Sequence, residues 1–235
     1  MTNIAGNIEA VQQRIADACQ KSGRRPEEVL LLAVTKTVSP EAIKQAIAAG
    51  LRDFGENYIA EGVEKIAALR LETNQRGLKL DLIWHCIGPV QSNKTRLVAE
   101  NFDWVHSVDR LKTAQRLNDQ RPPDAKPLQV CIQVNIDGGL AKSGVPPSEV
   151  LDLATELVKL PRLRLRGLMT IPEPATDFIA AQARHTPARV LFDTLNRKGF
   201  ELDTLSIGMS ADLEAAIWAG STMVRIGTAI FGQRA

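Results

Sequence analysis

The chain has 235 residues, of which 44% are hydrophobic and 24% are charged, as expected for a globular protein with a substantial buried core. Its 29 Lys and Arg residues nearly balance 27 Asp and Glu residues, and a net charge of +2 disfavours nucleic acid as a partner. No apolar run is long enough for a membrane span, and the three cysteines form no C-x-x-C pair, so we expect a cytoplasmic protein with free thiols.

The first element is an amphipathic helix over residues 3–20. Its apolar residues recur at steps of four, three and four: Ile4, Ile8, Val11 and Ile15. The polar face carries both signs of charge and no aromatic anchor, which favours packing on the body of the protein over a membrane surface.

Short apolar runs then alternate with helical patterns as far as residue 229. The eight strand-like runs are 30–36, 52–57, 82–88, 104–109, 128–136, 164–171, 203–209 and 223–229. The last long helical pattern covers 188–199, and the segments 137–147 and 171–178 are expected to be long loops. This alternation predicts an α/β fold, a single (β/α)8 TIM barrel over 1–235 with an extra N-terminal helix. A doubly wound sheet is disfavoured because no glycine fingerprint follows the first run.

Polar residues follow the apolar part of each predicted strand. They are Lys36, Asn57, His85, Ser107, Asp109, Asn135, Thr170, Ser210 and the run from Arg225 to Thr228. Active sites of barrels lie at the carboxyl ends of the strands, so these residues are expected to form a polar cup on an apolar floor.

Lys36 ends the apolar run LLAV and is the only lysine near a predicted strand end on this face. A lysine in a partly dry pocket can present a neutral, nucleophilic amine. The alternative is a lysine that reaches water or pairs with a carboxylate.

Two turns near the C-terminus contain the groups that bind anions. Gly208-Met209-Ser210 ends the seventh strand before a helix, and Arg225-Ile226-Gly227-Thr228 ends the eighth. Backbone N–H groups and hydroxyls on neighbouring turns predict a phosphate site, although either turn alone would read as ordinary Gly/Ser punctuation.

The histidines predict no metal site, because His85, His106 and His185 lack ligand spacing. His85 is expected to form a pocket wall, and the other two to be structural or surface residues. Arg162, Arg164 and Arg166 alternate along one strand face, where we expect a solvated strand entrance.

Three blocks of the sequence resemble the pyridoxal phosphate homeostasis protein family, single-domain proteins similar to the barrel half of alanine racemase. They are LLAVTKT (31–37), FGENY (54–58) with WHCIGPVQSNK (84–94), and SIGMSADLEAAIWAGSTMVRIGTAIFG (206–232). Their order and spacing match as well, so the resemblance covers almost the whole chain. Cys86, where an aromatic residue is common, is a minor departure.

The resemblance implies pyridoxal 5′-phosphate (PLP) bound as a Schiff base to Lys36. It also implies that Ser210, Gly227 and Thr228 hold the phosphate, that Gly208 and Met209 shape the turn, that Arg225 faces the pyridine nitrogen and that Asn57 lies beside the ring. Arginine can only donate to that nitrogen and therefore leaves it unprotonated, which weakens the ring as an electron sink.

Racemization on this fold needs a second base, which in the resembling enzyme is a tyrosine from a partner subunit. The chain ends seven residues after Thr228, leaving no room for the extra β domain, and Tyr58 is its only tyrosine. The favoured hypothesis is thus a monomeric protein that holds and supplies PLP without strong turnover, with PLP-dependent apo-enzymes as transient recipients. The alternative is a small PLP-dependent amino-acid racemase with Lys36 as base.

Overall fold

A computed structural model describes residues 2–75, 77, 80–139 and 142–233. Its strands form a closed parallel barrel in the order β1 to β8, with β1 paired to β8. The strands are β1 Leu30–Val34, β2 Asp53–Glu56, β3 Ile83–Cys86, β4 Trp104–Val108, β5 Leu128–Gln133, β6 Leu163–Met169, β7 Thr204–Ser206 and β8 Met223–Ile226. The predicted TIM barrel is therefore confirmed.

Helices precede, separate and follow the strands. They are α1 Ile4–Lys21, α2 Pro40–Ala48, α3 Ile59–Gln75, α4 Thr95–Asn101, α5 Leu111–Gln120, α6 Val150–Leu157, α7 Phe178–Arg197, α8 Leu213–Trp218 and α9 Thr228–Phe231. Short 3-10 turns occur at Pro26–Glu28 and Pro147–Glu149. In the described part of the chain, no helix combines the length and apolar character needed to cross a membrane.

Local chemistry explains several helix starts. Pro40 occupies the first turn of α2, where a missing N–H costs nothing, and the Ser39 hydroxyl accepts from the Ala42 N–H at 3.3 Å. The Asp177 carboxylate accepts from the Ala180 N–H at 2.9 Å at the start of α7. This helix extends ten residues further towards the N-terminus than the predicted 188–199, with Pro187 inside it.

The strands end earlier than predicted at the face that carries the polar residues. β1 stops at Val34, since Thr37 adopts φ 57° and turns the chain. β7 stops at Ser206, because Gly208 adopts φ 93° two residues later. Thr228 begins α9 and does not end a strand.

Side chains alternate between the barrel interior and the helix layer. Leu32 and Val34 join Ile87 and Met223 in an interior cluster, whereas Leu31 and Ala33 pack in the larger core between strands and helices. Lys36 lies in the turn after β1 and shares the parity of Leu32 and Val34, which favours the interior side of the barrel for its side chain.

The N-terminal helix α1 packs on the outside of the barrel. Its predicted apolar stripe is buried in the main core, and the helix packs against α8 and α9. Burial of each Ile or Val side chain in such a stripe contributes about 1.5–3 kcal/mol.

Candidate functional site

The two C-terminal turns are adjacent at the carboxyl end of the barrel. The Ala229 N–H approaches the Ser210 hydroxyl at 3.4 Å, and the Arg225 N–H donates to the Gly208 carbonyl at 3.0 Å. These contacts join the end of β7 to the end of β8 and bring the predicted phosphate-binding hydroxyls and amides to one place.

Gly208 permits a backbone conformation that a side chain would oppose. Its φ of 93° is unfavourable for L-residues, and a Cβ there would lie 2.4 Å from the Ala216 Cβ of α8. The next residue, Met209, is 41% exposed, and its N–H donates to the Asp212 carboxylate at 2.6 Å.

Asp212, which accepts from the Met209 N–H, is itself held by the buried His185. The His185 Nε2 lies 2.9 Å from Asp212 Oδ2. Burial alone would raise the pKa of Asp212, but the hydrogen bonds from His185 and the Met209 N–H lower it, so the carboxylate is ionised at neutral pH.

Arg225 lies inside the barrel at the next-to-last position of β8 and is 5% exposed. Nη1 donates to the Ser206 carbonyl at 2.5 Å and to the Ser206 hydroxyl at 2.9 Å, and Nη2 donates to the Thr170 carbonyl at 2.9 Å. Burial lowers the pKa of Arg225 to about 10, so it remains charged at neutral pH.

Lys36 is half-buried two residues after β1. Its side-chain amine has no hydrogen-bond or ion-pair partner among the residues that the structure describes. Since Ala33 pairs with Ile226 of β8 and Val34 with Gly55 of β2, this lysine lies between the end of β8 and the end of β2.

A buried network that the sequence analysis missed ties the backbone around Lys36 to α3. The Lys65 amine donates to the Thr35 carbonyl at 2.6 Å, to Glu56 Oε1 at 2.9 Å and to Glu61 Oε1 at 2.6 Å. Glu61 also accepts from the Thr37 N–H at 2.6 Å. Both neighbours of Lys36 are thereby fixed, and the spacing of Glu61 and Lys65 by one helical turn was the available signal.

Glu56 is fully buried within this network. Burial raises the pKa of its carboxyl, although the Thr35 hydroxyl and Lys65 bond to the same oxygen and oppose the rise. The other oxygen, Oε2, has no hydrogen-bond partner among the residues that the structure describes.

Asn57 lines an open cavity of about 410 Å³ at the carboxyl end of the barrel. The cavity is also bounded by Ile87, Gly88, Asn135, Pro172 and Met209. A Cβ at Gly88 would lie 2.1 Å from the Asn57 carbonyl oxygen, so only glycine lets the end of β3 approach Asn57.

The two long loops beside this cavity are linked by ion pairs. The Lys142 amine lies 2.7 Å from Asp137 Oδ2 and 2.8 Å from Glu173 Oε1. Asp137 also accepts from the Glu173 N–H at 2.8 Å. Of the loop predicted over 137–147, residues 140 and 141 lie outside the described part of the chain.

His85, predicted to form a pocket wall, belongs to the packed interior of the barrel. His85 is fully buried within the barrel, where its ring bonds to His106 and Asp53, and it does not line the cavity at the mouth. It is the next-to-last residue of β3, the same position that Arg225 holds in β8. His106 and His185 are also buried, and no group of metal-ligating side chains occurs within the described residues.

Arg162 immediately precedes β6, and Arg164 and Arg166 lie within it. The three side chains differ in environment. Arg162 and Arg164 are exposed, as predicted for a solvated strand entrance. Arg166 is half-buried, pairs with Asp203 at 2.6 Å and lies 4.8 Å from the centre of the Trp104 ring, so it helps to close the amino-terminal end of the barrel.

Comparison with known proteins agrees with this geometry. The family model of the alanine racemase N-terminal domain matches residues 6–235. The pyridoxal phosphate homeostasis protein of Escherichia coli (strain K12) is 53% identical over 234 residues, which cover 100% of this chain and 98% of that protein. The protein of the same name from Pseudomonas aeruginosa is 54% identical over 234 residues, covering 100% and 97%.

Solved structures share the barrel. PipY of Synechococcus elongatus PCC7942 with PLP bound has a TM-score of 0.82 at 33% identity, covering 98% of this chain and 100% of that chain. Alanine racemase of Clostridium difficile 630 has a TM-score of 0.74 at 18% identity, covering 99% of this chain and 57% of that chain, a likeness in fold alone. The chain therefore belongs to the alanine racemase N-terminal domain family and, within it, to the pyridoxal phosphate homeostasis proteins.

Proposed function

We propose that this chain binds PLP at the carboxyl end of the barrel and serves intracellular PLP homeostasis by holding and supplying the cofactor. The observation that carries the proposal is that three features lie on neighbouring strand ends: a lysine amine with no partner in the described part of the chain, a buried arginine and a hydroxyl-rich turn. The relatives named pyridoxal phosphate homeostasis protein and PipY with PLP bound support the same conclusion.

The residues present fit PLP. Arg225 uses three N–H groups in hydrogen bonds to Ser206 and Thr170, and a guanidinium has five. The two N–H groups that remain can donate to a pyridine nitrogen. Ser210, Gly227 and Thr228 offer hydroxyls and backbone amides for a phosphate, with Gly208 and Met209 shaping the turn, and Asn57 borders the space beside them.

PLP, when bound, supplies an aldehyde that an amine can hold reversibly and a ring that can withdraw electrons. Lys36 is the amine that we assign to the covalent attachment. Its backbone is fixed on both sides by Lys65 and Glu61, which limits the directions that its side chain can take, while its own amine has no partner among the described residues.

Two features argue for a holding role without strong turnover. Arg225 remains charged at neutral pH and only donates hydrogen bonds, so it would keep a pyridine nitrogen facing it unprotonated and would weaken electron withdrawal by the ring. Tyr58, the only tyrosine of the chain, is 57% exposed and points its surface to solvent. To act as the second base of a racemase it would have to reach the site of another copy, whereas the proposed site is built within one chain.

The attachment is tested with Lys36→Ala, using the exposed Lys159→Ala as a matched control. We expect the wild type and the control to show a visible absorption band with PLP, and borohydride reduction to leave a PLP adduct on the peptide that contains Lys36. Lys36→Ala should lose both signals. An unchanged band and adduct in Lys36→Ala would contradict the assignment.

The racemase alternative is tested by hydrogen exchange at Cα. Holo-protein is incubated in heavy water with a broad panel of amino acids, and deuterium incorporation is followed by mass spectrometry. The holding role predicts no exchange above the level given by free PLP. Exchange that depends on Lys36 would establish an enzyme.

We further propose that the protein acts in the cytoplasm, where its three buried, unbonded cysteines remain reduced. Apo-enzymes that need PLP are the expected transient recipients. Transfer from PLP-loaded protein to such an apo-enzyme, measured as recovered activity in the presence of a scavenger of free PLP, tests direct delivery.

A further inference from the structure

A column of polar side chains passes through the interior of the barrel beneath the proposed PLP site. The Asp53 carboxylate lies 3.1 Å from His85 Nε2, and His85 Nδ1 lies 2.9 Å from His106 Nε2. His106 Nδ1 lies 3.0 Å from the Ser206 hydroxyl, which accepts from Arg225 Nη1 at 2.9 Å. The column thus connects the amino-terminal end of β2 with Arg225 near the end of β8.

Both histidines are held firmly in this column. His85, His106 and Ser206 are all fully buried. The Trp104 ring stacks on His85 with centroids 5.3 Å apart. Close packing on all sides leaves little freedom for the rings to flip.

The two ends of the column set the direction of its hydrogen bonds. An ionised Asp53 can only accept, so His85 donates from Nε2, and a neutral His85 must then accept at Nδ1. His106 therefore donates from Nε2 and accepts at Nδ1, and the Ser206 hydroxyl donates to it. Since Ser206 accepts from Arg225, every hydrogen in the column has an acceptor.

Hydrogen bonds that ran in the opposite direction, from His85 towards Ser206, would leave one hydrogen without an acceptor. A positively charged His85 would donate to His106, and His106 would then donate from Nδ1 to Ser206. The Ser206 hydroxyl would receive two donors, and its own hydrogen would have no acceptor among the described residues. The positive charge would also lie on a fully buried ring, where Asp53 at 3.1 Å would offset only part of the cost of desolvation.

Burial supports the neutral arrangement. Desolvation lowers the pKa of His106 well below its ordinary value, with further lowering by His85 and Arg225. His106 is therefore neutral at pH 7, and one of its two nitrogens is free to accept.

We propose that Asp53, His85, His106 and Ser206 form a one-directional hydrogen-bond chain that positions Arg225 and fixes which of its N–H groups face the ligand. Ser206 accepts from Nη1 through both its carbonyl and its hydroxyl, and the hydroxyl is held in that role because its hydrogen is given to His106. These four are positioning residues. The inference rests on the proposed function, since the ligand that Arg225 would meet is PLP.

The first test needs no PLP. Protein labelled with 15N-histidine is examined by NMR at pH 7 without ligand, and the buried rings are assigned with the variants His85→Gln and His106→Gln. We expect both rings to be neutral with the proton on Nε2. A charged His85, or a proton on Nδ1 of either ring, would overturn the chain as drawn.

The second test compares Ser206→Ala with Ser221→Ala. Ser221 is a matched control because it is also fully buried and bonds to backbone carbonyls of β7 and its following residue, yet lies outside the column. We expect Ser206→Ala to weaken PLP binding about tenfold, the loss typical of one hydrogen bond to a charged group, and to shift the absorption maximum of bound PLP. Ser221→Ala should lower stability while leaving the affinity and the spectrum close to those of the wild type.

Each outcome separates the inference from the proposed function. If the wild type binds no PLP, the proposed function fails, and the NMR experiment still decides the direction of the column. If PLP binds equally well and with the same spectrum in Ser206→Ala, the positioning role is overturned. If Ser206→Ala does not fold, Ser206→Thr, which keeps the hydroxyl, should retain the wild-type spectrum and tautomers, and failure to do so would contradict the proposal.

Discussion

At the scale of single residues, the site depends on backbone positions that few side chains tolerate. Gly208 has positive φ and contacts the Cβ of Ala216 closely, and Gly88 touches the Asn57 carbonyl. Thr37 adopts φ 57° despite its branched side chain, and the Glu61 carboxylate holds its N–H in place. Of these residues Thr37 carries backbone strain, which costs of order 1–3 kcal/mol and is characteristic of ligand-binding positions.

Gly208→Ala should destabilise the protein more than a glycine replacement in open space. Gly23 also has positive φ, but nothing lies within 4 Å of a Cβ built there. We expect about 1–2 kcal/mol for Gly23→Ala from the conformation alone, and at least ~1 kcal/mol more for Gly208→Ala from the contact with Ala216. Urea denaturation measures both, and equal losses would contradict the steric argument.

Glu56 should give the protein a stability that falls with rising pH. Its pKa is raised by burial from an ordinary value of 4.5, so the folded state binds its proton more tightly than the unfolded chain. The contribution is fully present below pH 4.5 and is lost as the pH rises through the raised pKa.

The measurement compares wild type with Glu56→Gln by urea denaturation at several pH values from about 4.5 to 8. The free energy of unfolding of the wild type, relative to the variant, should decrease as the pH rises. A difference that stays constant, or increases, would show that the carboxylate is stabilised by Lys65 and Thr35 more than burial destabilises it.

At the scale of elements, helix α1 braces the turns that we assign to the phosphate. Arg14 pairs with Glu214 of α8 at 2.7 Å and donates to the Ser210 carbonyl at 3.1 Å. Asn7 donates to the Ile230 carbonyl of α9 at 2.8 Å. The extra N-terminal helix therefore contacts the first turn at Ser210 and helix α9, which follows the second turn, from outside the barrel.

Arg14→Ala should weaken PLP binding without removing it. The lost hydrogen bond to Ser210 is worth about 1 kcal/mol, which corresponds to roughly a fivefold rise in Kd. Arg25→Ala removes an exposed pair with Glu28 and is the control. Absorbance titration with PLP measures both variants, and an affinity unchanged by Arg14→Ala would limit α1 to packing.

Much of the architecture was predictable at this scale, because strand and helix periods are local. The positions of all eight strands follow from apolar runs, and Lys36 follows the first of them. The ends of the strands were harder to predict, since Thr37 and Gly208 turn the chain earlier than the hydrophobic pattern suggests. The column through His85 and His106 was missed because its contacts depend on the register between strands far apart in sequence.

At the scale of the whole molecule, we expect one chain to be the functional unit. Lys36, Arg225 and the phosphate turns all belong to one barrel, so the proposed site needs no residue from a second copy. Light scattering coupled to size exclusion should give the mass of a single chain, with or without PLP. A dimer that dissociates on PLP binding, or forms because of it, would contradict this expectation.

The pairing of β1 with β8 also affects how the protein is made. Almost two hundred residues separate Leu32 from its partner Arg225, so one edge of β1 stays unpaired during synthesis until β8 has left the ribosome. Contacts so distant in sequence slow folding, and an exposed edge strand invites pairing with other chains. Translation of the last strand thus sets the moment at which the newly made protein is protected from aggregation.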